Sequence, residues 1–312
     1  MILITGATGN TGRALVEQLA SRGVPVRALV RDRTTAGGLA LPGVELVVGD
    51  LGRPETLAPA LAGIRTAYLL SAADPDQVRL HSNFIEVAAR AGVGHIVRQS
   101  VRGADAASLV KLARWHAASQ QQLEESGMAW THLQPLYNMQ NFFRLAASIQ
   151  SAGAFFAPMR EAALSMVDAR DVADVAAAVL TGHGHEGKTY VVTGPESLTF
   201  AAAARHLSSA LGRAVRYADV TPEVARSGLL SMGLPAWYVD DLLQLYVFYS
   251  SGAGAVVTDA VPRLAGHAGR SFAQFAGDYR AVFDDRRQPD DAVTLRATPM
   301  PSSPRANPRI AS

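Results

Sequence analysis

Ile2-Leu3-Ile4-Thr5-Gly6-Ala7-Thr8-Gly9-Asn10-Thr11-Gly12-Arg13 is the stretch that decides the fold. Three apolar residues run straight into glycines at 6, 9 and 12, and a helical pattern follows in which Leu15, Val16 and Leu19 share a face. A glycine pattern alone says little. Placed between a strand and a helix, it is the turn that cradles a pyrophosphate. Gly6 lets the chain turn sharply off the strand, Gly9 lets backbone approach the phosphates, and Gly12 lets the helix pack close to the sheet. The free N–H groups from Asn10 to Arg13, at the helix start, would meet the phosphates. The plainer alternative is a tight turn with no ligand, but three glycines at this spacing cost helix stability without a ligand to account for them.

Beyond the loop, strand-like runs at Val26 to Val30, Val44 to Val48, Thr66 to Leu70, His95 to Arg98 and Thr131 to Leu133 alternate with helical patterns. The helices are expected at Thr11 to Ser21, Glu55 to Leu61, Pro75 to Ala91 and Ser108 to Ser126. Short apolar strands separated by helices imply βαβ units, and right-handed crossovers then give an α/β fold with a doubly wound, Rossmann-type parallel sheet. After Pro135 the alternation breaks. Helix is expected over Asn138 to Gln150, loop over Ala152 to Pro158 and an alanine-rich helix over Asp168 to Leu180. A strand at Thr189 to Thr193, a helix at Phe200 to Leu211, a short strand at Val215 to Tyr217 and two further helices complete the pattern. The expected organisation is a dinucleotide-binding domain over 1–189 and a smaller α/β cap over 190–283, helped by 136–165 and packed over the C-terminal edge of the sheet. A tail over 284–312, rich in Pro, Ser, Arg and Asp, is expected to be disordered.

The formal net charge of +2 is too small for an electrostatic footprint on nucleic acid, and the arginines after Phe283 sit beside four aspartates. No cysteine is present, which excludes disulfides, thiolate metal sites and a cysteine nucleophile and fits a reducing cytoplasm. The chain shows no signal peptide and no apolar run of about 18 residues. A cytoplasmic location is expected. The expected partners are a small-molecule substrate and a second copy in a homodimer, with neither nucleic acid nor membrane.

The second strand ends Val30-Arg31-Asp32-Arg33. A carboxylate here would hold the ribose 2′-OH of NAD(H), whereas an arginine would pair with the 2′-phosphate of NADP(H). Arg31 comes first after the apolar run and favours NADP(H), unless it is merely a solvated strand-end charge. Asp50, after the third strand, can accept from the adenine amino group or cap the next turn. Thr8, Leu51, Ser71 and Pro135, in the glycine loop and past the third, fourth and sixth strands, complete the expected cofactor set. Asp168, Asp171 and Asp174 resemble a metal cluster, but at the start of a helix they serve better as caps, and no metal is expected.

Several stretches together resemble the NmrA-like branch of the short-chain dehydrogenase/reductase superfamily. They are Ile4 to Gly12, Val48-Gly-Asp-Leu51, Arg114-Trp-His-Ala-Ala-Ser-Gln120, Glu124-Glu-Ser-Gly127, Pro135-Leu-Tyr-Asn-Met-Gln-Asn141 and Met166 to Ala173. The resemblance covers about residues 1–283. It implies NAD(P)H binding, and a group that mixes reductases of quinones, dyes and unsaturated compounds with proteins that sense the cofactor without consuming it. Ordinary members of the superfamily carry Tyr-x-x-x-Lys on the helix after the fifth strand; here the positions are Leu112 and His116. By that resemblance His116 would reach the nicotinamide ribose, and it can donate a proton if charged. Gln120 replaces the glutamate that usually follows and would raise its basicity. Asn138 replaces a usual phenylalanine beside the nicotinamide, and either contacts substrate or caps the helix that follows. Tyr137 and Ser100 are the remaining proton-donor candidates, and Tyr137 and Trp237 are candidate substrate contacts. The expected function is reduction of a small conjugated acceptor such as a quinone. A sensing protein and a biosynthetic enzyme with a non-redox step are the alternatives.

Overall fold

A computed structural model describes residues 1–284. The expected tail lies, from residue 285 onward, outside the described residues. Strands β1 (Ile2–Ile4), β2 (Val26–Val30), β3 (Val44–Val48), β4 (Thr66–Leu69), β5 (His95–Gln99) and β6 (Ala129–Pro135) alternate with helices α1 (Asn10–Ser21), α2 (Leu57–Leu61), α3 (Gln77–Arg90) and α4 (Lys111–Glu124). Then follow α5 (Ala146–Ala152), β7 (Ala154–Ala157), β8 (Ala163–Leu164), α6 (Ala169–Thr181), β9 (Lys188–Val192), β10 (Leu198–Thr199), α7 (Phe200–Leu211) and β11 (Arg216–Asp219). Helices α8 (Pro222–Ser231), α9 (Ala236–Phe248), α10 (Ala260–Ala265), α11 (Phe272–Asp278) and α12 (Arg280–Phe283) close the chain.

Seven strands form one parallel sheet in the order β3-β2-β1-β4-β5-β6-β9. Side chains alternate across it, as a strand period of two requires. Ile2, Ile4, Ala28, Val30 and Val97 face α1 and α6, where Leu15, Val16, Val172 and Val175 receive them. Leu3, Leu29, Leu69 and Ile96 face the opposite layer, against Leu61, Phe84, Ala88 and Leu123. Both faces of the central strands are covered, and the charged strand residues Arg27, Glu45 and Lys188 are not fully buried, whereas Arg98, on the α3–α4 side of β5, is fully buried. The order reverses between β1 and β4, which opens a crevice at the C-terminal ends of the strands.

The cap has its own core of aromatics, with Phe142, Phe155, Phe200, Phe272, Phe275 and Phe283 fully buried. Two expectations need correction, and the expected domain boundary meets a strand. Residues 152–158 are not loop: β7 pairs in parallel with β11, a partner some 60 residues away that local pattern does not announce. Asn138 to Gln150 is a tight 3-10 turn over Met139–Leu145 followed by the short α5, not one helix. The boundary at 189/190 falls inside β9, which pairs with β6 in the main sheet, while α10 returns from the cap region to pack on α6.

Candidate active site

The glycine loop is shaped as a cradle that side chains would fill. Gly6 stands at φ +61°, and a Cβ there would lie 2.8 Å from the Leu70 carbonyl oxygen. A Cβ on Gly12 would lie 2.1 Å from the Gly6 carbonyl oxygen. The third glycine therefore lets the loop close on itself, rather than serving the helix-to-sheet approach expected from the spacing. Gly9 is the N-cap of α1 and brings no side chain, and the first turn contains no acidic residue. The N–H groups of Asn10, Thr11 and Gly12 have no backbone partner among the described residues. Uncapped donors at the start of a twelve-residue helix, over a loop that tolerates no side chain, fit a dinucleotide pyrophosphate. Thr8 is exposed at the mouth of this loop and Thr11 is buried beneath it.

At the end of β2, Arg31 is exposed and makes no hydrogen bond or ion pair among the described residues. Its neighbours are committed. The Asp32 carboxylate accepts from Thr34 N–H at 2.8 Å, which holds its pKa below the usual carboxylate value, and Arg33 donates to the Leu46 carbonyl at 3.0 Å. Asp50 takes the turn-capping role, its carboxylate accepting from Gly52 N–H at 2.8 Å. Leu51 is half-buried against the α2–α3 layer, and its carbonyl accepts from Asn83 at 2.8 Å.

A cavity of about 270 Å³ lies where the C-terminal ends of β4, β5 and β6 meet α8 and α9 of the cap. Ser71, Ser100, His116, Pro135, Tyr137 and Asn138 all line it. Trp237 does not. It packs against Trp115 of α4 with ring centroids 5.6 Å apart, because adjacent positions on a helix point about 100° apart. Its neighbour Tyr238 faces the cavity instead, its hydroxyl accepting from Arg144 at 2.7 Å.

Behind the cavity wall lies a feature that the sequence pattern did not announce. Arg98 is fully buried, and no carboxylate pairs with it among the described residues. Its Nε donates to His81 Nδ1 at 3.2 Å, and Nη2 meets His116 Nδ1 at 3.0 Å. Burial lowers its pKa to about 9, which still leaves it charged at neutral pH. A charged guanidinium has no acceptor lone pair, so both imidazoles must accept through Nδ1 and carry their proton on Nε2. His81 Nε2–H then donates to Ser71 Oγ at 2.9 Å. His116 Nε2–H is left for the cavity. Burial, followed by the Arg98 charge, holds the His116 pKa well below the usual value, which favours the neutral imidazole, an N–H donor, over the charged form that proton donation would need. Gln120 plays no part at this imidazole, because its amide oxygen accepts from Ser100 Oγ–H at 2.6 Å and from Gln134 at 3.3 Å. That bond also commits the Ser100 hydroxyl proton.

Tyr137 is buried, and its pKa is pushed well above the phenol value by burial and then by Tyr246 and Tyr249. It stays a neutral O–H. Asn138 stands at the N-cap position of the 3-10 turn but makes no side-chain cap hydrogen bond, so the capping alternative fails. Its Oδ1 is buried without a partner, as are Gln77 Nε2 and Arg102 Nε in the same wall. Buried polar atoms left this way signal a ligand or ordered solvent. The three aspartates are accounted for separately. Asp168 caps α6 through Arg170 N–H at 2.9 Å, while Asp171 and Asp174 both accept from Arg270. Of these groups, Arg98, Arg102 and Arg144 were missed from sequence, the only signal being a charge in a buried strand at Arg98, whereas Tyr238 belongs to the run of aromatics over Leu229 to Tyr249 that the sequence offers as a wall for a flat substrate.

Comparison with known proteins agrees with this geometry. The chain is 41% identical over 283 residues to the NAD(P)H azoreductase of Xenophilus azovorans, covering 91% of this chain and 99% of that one. It superposes on the NADPH-dependent quinone oxidoreductase of Escherichia coli, solved with NADPH, at TM-score 0.81 and 29% identity, covering 90% and 100% of the two chains. It likewise matches the triphenylmethane reductase of a Citrobacter species, solved with NADP(H), at TM-score 0.79 and 28% identity over 89% and 99%. The model of the NmrA-like family matches residues 1–260, and the chain, with its nicotinamide dinucleotide loop, belongs to that family.

Proposed function

We propose that the protein is an NADPH-dependent reductase of planar conjugated acceptors, of which a quinone is the simplest. The observation that carries this reading is the junction of two sites: a dinucleotide cradle at Gly6–Gly12 and, across Leu70, a cavity with an aromatic wall and inward polar groups. Bound there, the dinucleotide supplies a hydride and leaves oxidised, so the acceptor needs one further proton. His116 Nε2–H and the Tyr137 hydroxyl are neutral donors. They stabilise an oxyanion as it develops, and they do not hand over a proton. That arrangement suits acceptors whose reduced anion is delocalised and takes its proton from water. Asn138 Oδ1, the buried unpaired acceptor, orients an N–H or O–H of the ligand. The preference for NADPH rests on Arg31, which has the free fork that a 2′-phosphate needs, while Asp32 is already engaged. The lack of cysteine supports a cytoplasmic location.

The test is the rate of NADPH oxidation across quinones and azo dyes, beside calorimetric binding of NADPH and NADH. Turnover of at least one conjugated acceptor is expected, and Arg31→Ala should weaken NADPH by about tenfold or more with NADH little changed. Tight binding without turnover on any acceptor would favour a sensing role. Equal losses for both nucleotides would remove the NADP assignment.

A further inference from the structure

The cavity carries two arginines and no carboxylate. Arg102, on the loop after β5, and Arg144, at the end of the 3-10 turn after β6, both line it. Neither forms an ion pair among the described residues. The nearby Asp241 is spent on the backbone N–H groups of Lys111 and Leu112 at the start of α4, and Asp105 caps its own turn through Ala107 N–H at 2.8 Å. Arg144 finds only the Tyr238 hydroxyl, a neutral partner, and Arg102 Nε is buried with none. Arg98 adds a third positive charge behind His116. Much of the remaining wall is apolar or aromatic, including Leu112, Leu136, Leu242, Leu245 and Phe248, beside uncharged polar groups such as Gln77, Gln99 and Asn138.

Two half-buried guanidinium groups facing one cavity, with no carboxylate in its lining, offer N–H donors to a ligand that brings the opposite charge. Sequestered N–H donors beside an apolar wall match a molecule with a flat hydrophobic body and a fixed anion at one end. We propose that the acceptor site is selective for conjugated acceptors that carry a sulfonate or carboxylate, with Arg102 and Arg144 taking the anion and the apolar wall taking the ring system. This rests on the reductase reading for the word acceptor, but not for the anion site itself.

The anion site is therefore tested without turnover. Binding of 2-naphthalenesulfonate and of 2-naphthol to the full chain is measured by calorimetry in saturating NADP⁺, so that the dinucleotide's phosphate contacts are already filled. The sulfonate should bind about tenfold tighter or more, and the ratio should shrink as salt rises from about 50 to about 500 mM. Arg102→Gln and Arg144→Gln should each cut the ratio to about threefold or less, while Arg102→Lys, which keeps the charge, should retain most of it. A salt-independent ratio near one in the wild type would overturn the proposal, even if both glutamine variants failed to fold. So would a preference that survives both substitutions in folded protein. Rates with 1,2-naphthoquinone and its 4-sulfonate separate the two readings. Turnover without any preference for the sulfonates sinks the anion site alone, and sulfonate binding without turnover of either quinone sinks the reductase reading alone.

Discussion

Burying a guanidinium without a carboxylate against it costs on the order of several kcal/mol, and Arg98 does this in the middle of the sheet. What it gains is orientation. A single fixed donor sets the tautomer of His81 and His116 at once, and each imidazole then presents Nε2–H, one to Ser71 and one to the cavity. Replacing Arg98 by methionine tests whether this is its purpose. An apolar residue of similar length should leave the melting temperature unchanged or raised, since buried charge is weak evidence for stability. Catalysis should behave in the opposite way. Without the guanidinium one of the two causes of the low His116 pKa is gone, and only burial remains, so that pKa rises toward 6.5. The wild type, neutral at this residue throughout, should show a flat kcat/KM between about pH 6 and 8. In Arg98→Met the neutral imidazole is free to carry its proton on Nδ1 instead, so the rate should be reduced at high pH and recover as the pH falls through the raised pKa, where the imidazolium again presents Nε2–H. At pH 7.5 the loss should be about tenfold, or about 1.4 kcal/mol of transition-state stabilisation. An unchanged pH profile in a folded variant would show that Arg98 does not act through His116.

At the scale of elements, the loop from β1 into α1 carries the firmest claim, because its geometry leaves so little freedom. Gly12→Ala would drive a methyl group to 2.1 Å from the Gly6 carbonyl oxygen. The loop must open to admit it, and the uncapped N–H groups of α1 move with it. Dinucleotide binding measured by calorimetry should weaken about a hundredfold or more, while far-UV circular dichroism stays native, since the sheet does not depend on the loop's closure. Retention within about threefold would mean that the cradle is not where the phosphates sit. This loop was legible from sequence because its signal is local: strand, glycines and helix lie within twelve residues. The six strands from β1 to β6 were legible for the same reason. Elements whose stability comes from distant partners were not. β7 exists because β11 pairs with it, and Ala154–Ala157 alone reads as loop. The site divides in the same way. The cofactor end could be read from spacing, but the cavity end depends on which face α9 turns inward, which placed Tyr238 in the wall and Trp237 against Trp115. Arg102 and Arg144 belong to no period, so only the fold brings them together.

For the whole molecule the question is whether sheet and cap are one cooperative unit, since the cavity has a wall from each. The chain crosses between them repeatedly: β9 completes the main sheet before α7 enters the cap, and α10 returns to pack on α6 before α11 and α12 rejoin the cap. Polar ties reinforce the crossings. Asp241 of α9 caps α4, the Tyr249 hydroxyl donates to the Leu136 carbonyl at 3.2 Å, and Arg170 of α6 pairs with Asp278 of α11 at 2.7 Å. Parting the halves would break these ties and the packing of α10 on α6, so neither half gains by opening alone. Thermal unfolding should therefore be a single transition. Far-UV circular dichroism reports the whole chain. Tryptophan fluorescence reports both the Trp115–Trp237 contact across the junction and Trp130 on β6. The two should give one midpoint. NADPH at a hundred times its dissociation constant adds about 2.7 kcal/mol to the folded state. For a chain of this size that is a rise of roughly 5 °C. If the halves are coupled, both probes rise together, although the dinucleotide cradle lies wholly in the sheet domain. Two separated transitions, with only the circular dichroism midpoint moving on addition of NADPH, would mean that cap and sheet fold independently, and that the cavity between them is not held in the shape from which the anion site is argued.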